Sequence, residues 1–150
     1  MSGVNSAMKT SAVGIALIKR FEGFCAVVYN CPAGKRTIGY GHVVKPGEHF
    51  GTLTEAQATE LLRADAEIAA HSVKRFISAP LTQNQFDVLV SFTFNLGGGA
   101  LETSTLRSLI NTGRLEAVPR ELNRWVFAKG QRLPGLMARR KAEGQLFTAL

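Results

Sequence analysis

Residues 21–42 read FEGFCAVVYNCPAGKRTIGYGH, and the residue pattern changes character twice within this stretch. It opens with Glu22 at the end of an apolar helical run. Two segments rich in β-branched and aromatic residues follow, AVVY and RTIGYG, joined by the turn residues Cys31-Pro32-Ala33-Gly34. The pattern predicts a compact hairpin with a carboxylate at its base (Glu22), a thiol at its turn (Cys31) and a hydroxyl on its second strand (Thr37). A carboxylic acid facing a second polar group suits glycoside hydrolysis, in which one group protonates the departing oxygen and the other manages the water or the sugar cation.

Upstream, Val13, Ala16, Leu17, Phe21 and Phe24 recur at helical spacing and predict a first helix from Lys9 to about Glu22. Residues 1–8 are small and polar and are expected to fray. The apolar run Ser11–Ile18 after Lys9 has the look of a signal peptide. However, Gly14 interrupts it, it runs straight into Lys19-Arg20, and no small-x-small cleavage site follows. It therefore reads as an amphipathic helix of the mature chain.

Downstream, Lys45-Pro46-Gly47-Glu48 is a turn. Thr54 and Gln57 then form a near capping box, with Leu53 placed as a staple. No Gly or Pro interrupts residues 54–76, so one helix of about 33 Å at 1.5 Å per residue is expected as a strut between two lobes. Ala79-Pro80 ends it, and Thr82 caps a further helix, Gln83 to Asn95, with Phe86, Leu89, Val90 and Phe94 in the core. Gly97-Gly98-Gly99 reads as a break and a hinge. Helices are expected near 103–111, 116–127 (with Pro119 in its first turn) and 135–150. This is an α+β chain, a small lobe with a hairpin and a helical lobe closing over it.

At 150 residues the chain is one domain by length. With 45% hydrophobic and 19% charged residues it can bury a real core, which excludes a disordered linker. The formal charge of +7 favours polyanions: nucleic acid, anionic lipid or phosphate-bearing wall polymers. Charge does not choose among them. Cys25 and Cys31 make no disulfide framework, no Cys/His cluster has zinc spacing, and neither metal nor cofactor is expected. No segment approaches the roughly 18 apolar residues of a membrane span.

Three blocks resemble the phage-type lysozymes, the endolysins of T-even and lambdoid bacteriophages (glycoside hydrolase family 24). The first is Glu22-x8-Cys31-x5-Thr37 followed by Ile38-Gly39-Tyr40-Gly41-His42, similar to the family's Glu-x8-Asp/Cys-x5-Thr signature. The second runs from Leu81-Thr82 through Gln85-Phe86-Asp87 to Phe94-Asn95-x-Gly97. The third is Trp125 with Leu133-Pro134-Gly135-Leu136-x-x-Arg139-Arg140-x-x-Glu143. The resemblance spans about Lys9 to Phe147. It implies a single lysozyme-like domain with a small lobe at about 9–60, a connecting helix at 54–76 and a helical lobe at 80–150. It further implies an endolysin that hydrolyses the β-1,4 bond between N-acetylmuramic acid and N-acetylglucosamine of peptidoglycan.

On that resemblance Glu22 is the general acid, which asks for partial burial beside residues such as Phe21 and Tyr40. Arg139 stands where the family places an arginine that holds the acid, with Arg140 as the alternative. Cys31 replaces the commoner aspartate, and as a thiolate favoured by Lys35 or Arg36 it would stabilise the sugar cation, position water or attack the anomeric carbon. Thr37 would hold the water. Asn95 and Arg139 are the expected substrate-binding residues. Each has a plainer alternative: a solvated helix-end glutamate, a buried filler thiol, a cross-strand threonine, a helix cap, surface cations. His42 is expected to be structural, bonded to Asp65 or Glu67. His49 and His71 read as exposed.

The implied partners are peptidoglycan and a separate holin, with no nucleic acid and a monomeric state. The implied location is the host cytoplasm before lysis and the wall afterwards. A lytic transglycosylase using Glu22 alone, and a non-catalytic polybasic binder of walls or membranes, are the rival readings. Cys25 and Cys31, taken as lying around a turn, are also a candidate oxidative cross-link.

Overall fold

The computed structural model describes residues 3–149. Helix α1 spans Ala12–Glu22, and Ser11 caps it by accepting the Gly14 N–H. Its buried face is Gly14, Ile15, Leu17 and Ile18, whereas Val13 is 53% exposed. The stripe expected from Val13 and Ala16 is therefore rotated. The cause lies in tertiary structure: Asp87, buried, accepts the Ser11 backbone N–H at 3.0 Å and is bonded by the Ser11 hydroxyl. A Cβ at Gly14 would stand 2.8 Å from that carboxylate, so the glycine that interrupts the apolar run is the point of closest approach to the next layer.

Gly23, at φ 72, ends α1 and turns the chain into β1 (Cys25–Asn30). Strand β2 (Arg36–Gly39) pairs antiparallel with β1, Asn30 opposite Arg36, and a bulge lies between Cys25 and Tyr29. A third strand absent from the sequence reading, β3 (His42–Val43), pairs with β2. The hairpin is anchored through Ile38, fully buried, and Tyr40.

Helix α2 covers Glu55–Phe76 behind a complete capping box of Thr54 and Gln57. It presents Ala58, Leu62, Ala66, Ala69, Ala70 and Val73 inward, a stripe of mostly small side chains that lets neighbours approach closely.

Helix α3 (Gln83–Leu96) carries a second complete capping box, Thr82 and Gln85. Residues 86–93 are buried on every side, because α1, α2, α4 (Gly98–Thr103) and α7 (Pro134–Phe147) all pack around it. Gly97 at φ 95 separates α3 from α4, and the helix resumes at once at Gly98, whose Cβ position is filled by Ser72. The glycine run is thus a tight helix junction that the sequence reading took for a hinge.

The expected helix over 116–127 is shorter than read: a single 3₁₀ turn, Leu115–Ala117, leads into α6 (Val118–Leu122). Val126 is buried and Trp125 turns edge-on to Phe92, which pulls the chain out of helical geometry. The chain then forms a small hairpin, β4 (Phe127–Ala128) and β5 (Gln131–Arg132), closed by Lys129 and Gly130, both at positive φ. Helix α5 (Thr105–Asn111) completes the helical lobe.

The N-terminal residues are held as well: Asn5, 2% exposed, donates to Ala79 O and accepts from Leu81 N–H. Of the stretch expected to fray, only residues 1–2 lie outside the described residues. The α+β architecture with a small sheet and a helical lobe agrees with the expectation.

Asp87 takes hydrogen bonds from Ser11 and from Gln83 Nε2 at 2.9 Å. Replacing Asp87 by Ala leaves those donors unpaired beside a new cavity and should lower unfolding free energy by about 2 kcal/mol in urea melts.

Candidate active site

Glu22 is the last residue of α1, so its side chain leaves the helix where Gly23 redirects the chain. The carboxylate is about one-fifth exposed, and its Oε2 accepts a 2.6 Å hydrogen bond from Arg139 Nη1. A Cβ at Gly41 would lie 2.7 Å from Glu22 Oε1, and φ is +81 there, so glycine is required on both counts. A groove of about 480 Å³ is lined by Glu22, Gly41, His42, Asp65, Thr93 and Asn95, among others. A second pocket of about 500 Å³, walled by Phe21, Leu133 and Pro134, again contains Glu22 and Asn95. The acid and the amide therefore sit where the two meet.

Cys31 and Thr37 are brought together at the hairpin turn. The turn is closed by Cys31 N–H to Lys35 O at 2.9 Å and Gly34 N–H to Cys31 O at 2.8 Å. The Lys35 backbone N–H pulls the Cys31 thiol below its ordinary value. Burial, second in size, opposes it, and the Ala33 backbone, the Thr37 hydroxyl and the Lys35 charge add to the lowering, so the net shift is downward. The buried Thr37 hydroxyl donates to Lys35 O at 3.0 Å. Neither residue lines the two pockets that share Glu22. Burial, then the charges of Cys25, Glu22 and Cys31, push the Tyr29 phenol up.

Cys25 and Cys31 are both free, and strand β1 separates them, Cys25 being its first residue and Cys31 following its last, Asn30, so no turn lies between them. Six residues of extended chain span roughly 20 Å, far beyond the ~7 Å Cα separation that a disulfide tolerates, so the proposed oxidative cross-link does not fit the fold.

His42 is 4% exposed, with Nδ1 2.8 Å from Asp65 Oδ2 and Nε2 3.0 Å from Glu48 Oε1. Burial, the largest single influence, lowers its pKa. The hydrogen bonds and charges of Asp65 and Glu48 outweigh it, and the net shift is upward. This ties β3 to α2 along the groove floor. Glu55 makes a parallel tie, accepting from the Tyr40 hydroxyl at 2.7 Å, Lys19 Nζ at 2.9 Å and Thr59 Oγ1 at 2.9 Å.

Arg139 and Arg140, read from sequence as possible surface cations, are 3% and 0% exposed. Arg139 also donates to Ser91 O at 3.2 Å and Ser91 Oγ at 3.3 Å, and it lines the second pocket together with Glu22 and Asn95. Arg140 Nη2 donates to Asn95 Oδ1. Between the two arginines lies Glu143, 0% exposed, a residue that the sequence reading quoted in a motif but gave no role. Ser91 was likewise missed. The available signal was the Arg139-Arg140-x-x-Glu143 spacing, which stacks opposite charges on one helix face.

A glutamate clamped by a buried arginine, in a groove between a β-hairpin and a helical lobe, defines a protein of the lysozyme type. The phage lysozyme family model matches residues 19–143, and the chain belongs to that family. The endolysin of Acyrthosiphon pisum secondary endosymbiont phage 1 is 41% identical over 146 residues, covering 93% of this chain and 98% of that protein. The endolysin of Bacillus phage PZA is 39% identical over 144 residues, 95% of this chain, but the chain spans only 56% of that longer protein. Among solved structures, the muramidase domain of SpmX from Asticaccaulis excentricus superposes with a TM-score of 0.86 at 36% identity, covering 95% of this chain and 99% of that one. No described helix is long and apolar enough to cross a membrane.

Tyr40 first, then Lys19 and Thr59, hold the Glu55 carboxyl at about 2, while Tyr40 is pushed up to about 12 by the same bond. Because the folded value of Glu55 lies below the ordinary 4.5, its contribution to stability is complete above that pH and disappears as pH falls toward 2. Glu55→Gln should therefore flatten the loss of stability across that acid window, measured by urea melts at successive pH values.

Proposed function

We infer that this member of the phage lysozyme family degrades peptidoglycan by hydrolysing the β-1,4 bond between N-acetylmuramic acid and N-acetylglucosamine, with Glu22 as general acid. The observation that carries this reading is the Glu22 carboxyl in the groove. Among the described residues only its Oε2 is bonded, to Arg139, while Oε1 lies against Gly41. Glu22 Oε1 delivers its proton to the bridging oxygen as the glycosidic C–O bond breaks. The carboxylate left behind is then stabilised by Arg139. Water adds its oxygen to the anomeric carbon and gives a proton to the Cys31 thiolate, with Thr37 orienting the water. Asn95 takes the substrate's N-acetyl group. The names of the relatives, endolysin and muramidase domain, support this substrate class. As in those endolysins, the site of action is the cell wall. Access by way of a separate holin, and action as a monomer without nucleic acid, complete the reading.

A second reading has its own supporting observation. Cys31 and Thr37 stand outside the lining of the groove that holds Glu22. A lytic transglycosylase needs nothing to place a water: Glu22 protonates the leaving oxygen and the sugar's own hydroxyl closes onto the anomeric carbon. Mass analysis of fresh digestion products separates the two, since hydrolysis adds the mass of one water and transglycosylation leaves anhydro-muramic ends. The polybasic-binder reading is weakened by the burial of Arg139 and Arg140, two of its cations.

Glu22→Gln should retain the fold and lower clearing of purified cell walls by roughly 10²–10⁴-fold, the usual worth of a general acid. Undiminished clearing would move the activity to charge-driven disruption. Cys31→Asp should keep most of the activity and Cys31→Ser should lose most of it, because a hydroxyl neither ionises nor takes the water's proton near neutral pH. Equal activity of Ser and Cys at position 31 removes the thiol from the mechanism.

A further inference from the structure

Glu22 and Asn95, which line both pockets, are each bonded to a guanidinium from α7, and both guanidiniums converge on one carboxylate. Reading from Glu22, the contacts run from its Oε2 to Arg139 Nη1 at 2.6 Å, and from Arg139 Nε to Glu143 Oε2 at 3.5 Å. They continue from Glu143 Oε1 to Arg140 Nη1 at 2.9 Å and from Arg140 Nη2 to Asn95 Oδ1. Charges alternate along the chain, and Ser91 braces its middle by donating to Glu143 Oε2 at 2.7 Å while accepting from Arg139.

The interior of this network is fully buried, and burial pushes the Glu143 carboxyl up against the opposing pull of both arginines and Ser91. Among the described residues Arg139 Nε, Arg140 Nη1 and Glu143 Oε1 make no aligned hydrogen bond and are held by charge at short range, and Arg140 Nε has no hydrogen-bond partner. Such an arrangement is a poor source of stability, since well-packed apolar residues of similar volume do as well or better. Its distinguishing product is geometric. Arg139 fixes one oxygen of Glu22, leaving the other for the substrate. Arg140 occupies the Asn95 carbonyl, so the Asn95 amide group is left to donate to a carbonyl acceptor in the groove.

We propose that Glu143 is a positioning residue for glycoside cleavage: its single buried carboxylate holds Arg139 and Arg140 together and in place, and thereby orients Glu22 for proton delivery and Asn95 for binding the substrate's acetamido carbonyl. This rests on the reading of Glu22 as the acid given above. Without the carboxylate the two guanidiniums repel each other in a low-dielectric interior, and both groove groups lose their registration together. A small displacement of a reacting group is costly because productive geometry tolerates only fractions of an ångström.

The test is Glu143→Gln, nearly isosteric and uncharged, assayed on purified cell walls alongside thermal unfolding. The expected result is a kcat at least roughly tenfold lower, together with a raised KM, in the folded fraction. The KM part should be absent when Glu143→Gln is added to Asn95→Ala, because the residue that transmits it has gone. A purely structural Glu143 gives a lower Tm with kcat per folded molecule and KM unchanged, or a KM effect that simply adds to that of Asn95→Ala. Either result overturns the proposal. Should Glu143→Gln not fold, Ser91→Ala removes the brace without altering any charge. It should lower kcat several-fold, and an unchanged kcat for that variant is equally fatal. Glu22→Gln separates the two levels: an inactive Glu22→Gln beside a fully active Glu143→Gln removes the positioning role alone, whereas an active Glu22→Gln removes the reading beneath it.

Discussion

Glu143 is enclosed with no solvent contact between Arg139 and Arg140, and the spatial relation of α1, α3 and α7 is expressed through that one carboxylate. Taking an ion out of water costs several kcal/mol, so each member of such a cluster must be matched by its neighbour. Helix α7 supplies the match locally, since Arg139 and Arg140 precede Glu143 by four and three residues and fall on one face. The partners at either end come from elsewhere. Glu22 belongs to α1, and Ser91 and Asn95 belong to α3. Displacing α7 therefore disturbs the packing and the groove's polar groups at once.

The small sheet obeys a related constraint. Three short strands cannot bury a core of their own, and much of the outer face is open, with Val27 52% and Val43 45% exposed. Its position is set by Ile38 and Tyr40 pressed against the helices, and by two polar ties into α2, Tyr40 with Glu55 and His42 with Asp65. Those ties carry Gly41 to the side of the Glu22 carboxyl. The groove is thus shaped by groups whose bonding partners lie on other elements, which explains why a structural histidine stands in its floor.

Features controlled by neighbours in the chain were legible in advance. The Thr54–Gln57 box and the Thr82 cap form where the sequence indicated them, because a cap is a bond between residues three apart, and Gln85 completes a second box that the sequence reading did not name. The uninterrupted run after Thr54 became one helix for the same local reason. Where a distant group intervened, the reading slipped. Asp87 rotated the buried face of α1, Asn5 pinned a terminus expected to fray, and the inward turn of Trp125 cut short the helix after Pro119. The β4–β5 hairpin went unseen because its strands are two residues long, too short for alternation to register.

What the sequence determined by itself is the family pattern, the position of the Glu22 acid at a helix end, the Cys31 and Thr37 spacing across a turn, and the α+β order of elements. All of these are encoded in short-range spacing and backbone preference. Tertiary structure alone decided that Glu22 and Asn95 share one groove, that Cys31 and Thr37 lie outside its lining, and that Arg139, Arg140 and Glu143 are interior. Charged residues look alike in sequence whether solvated or buried. Only the packing of three helices creates the low-dielectric space in which their charges must pair.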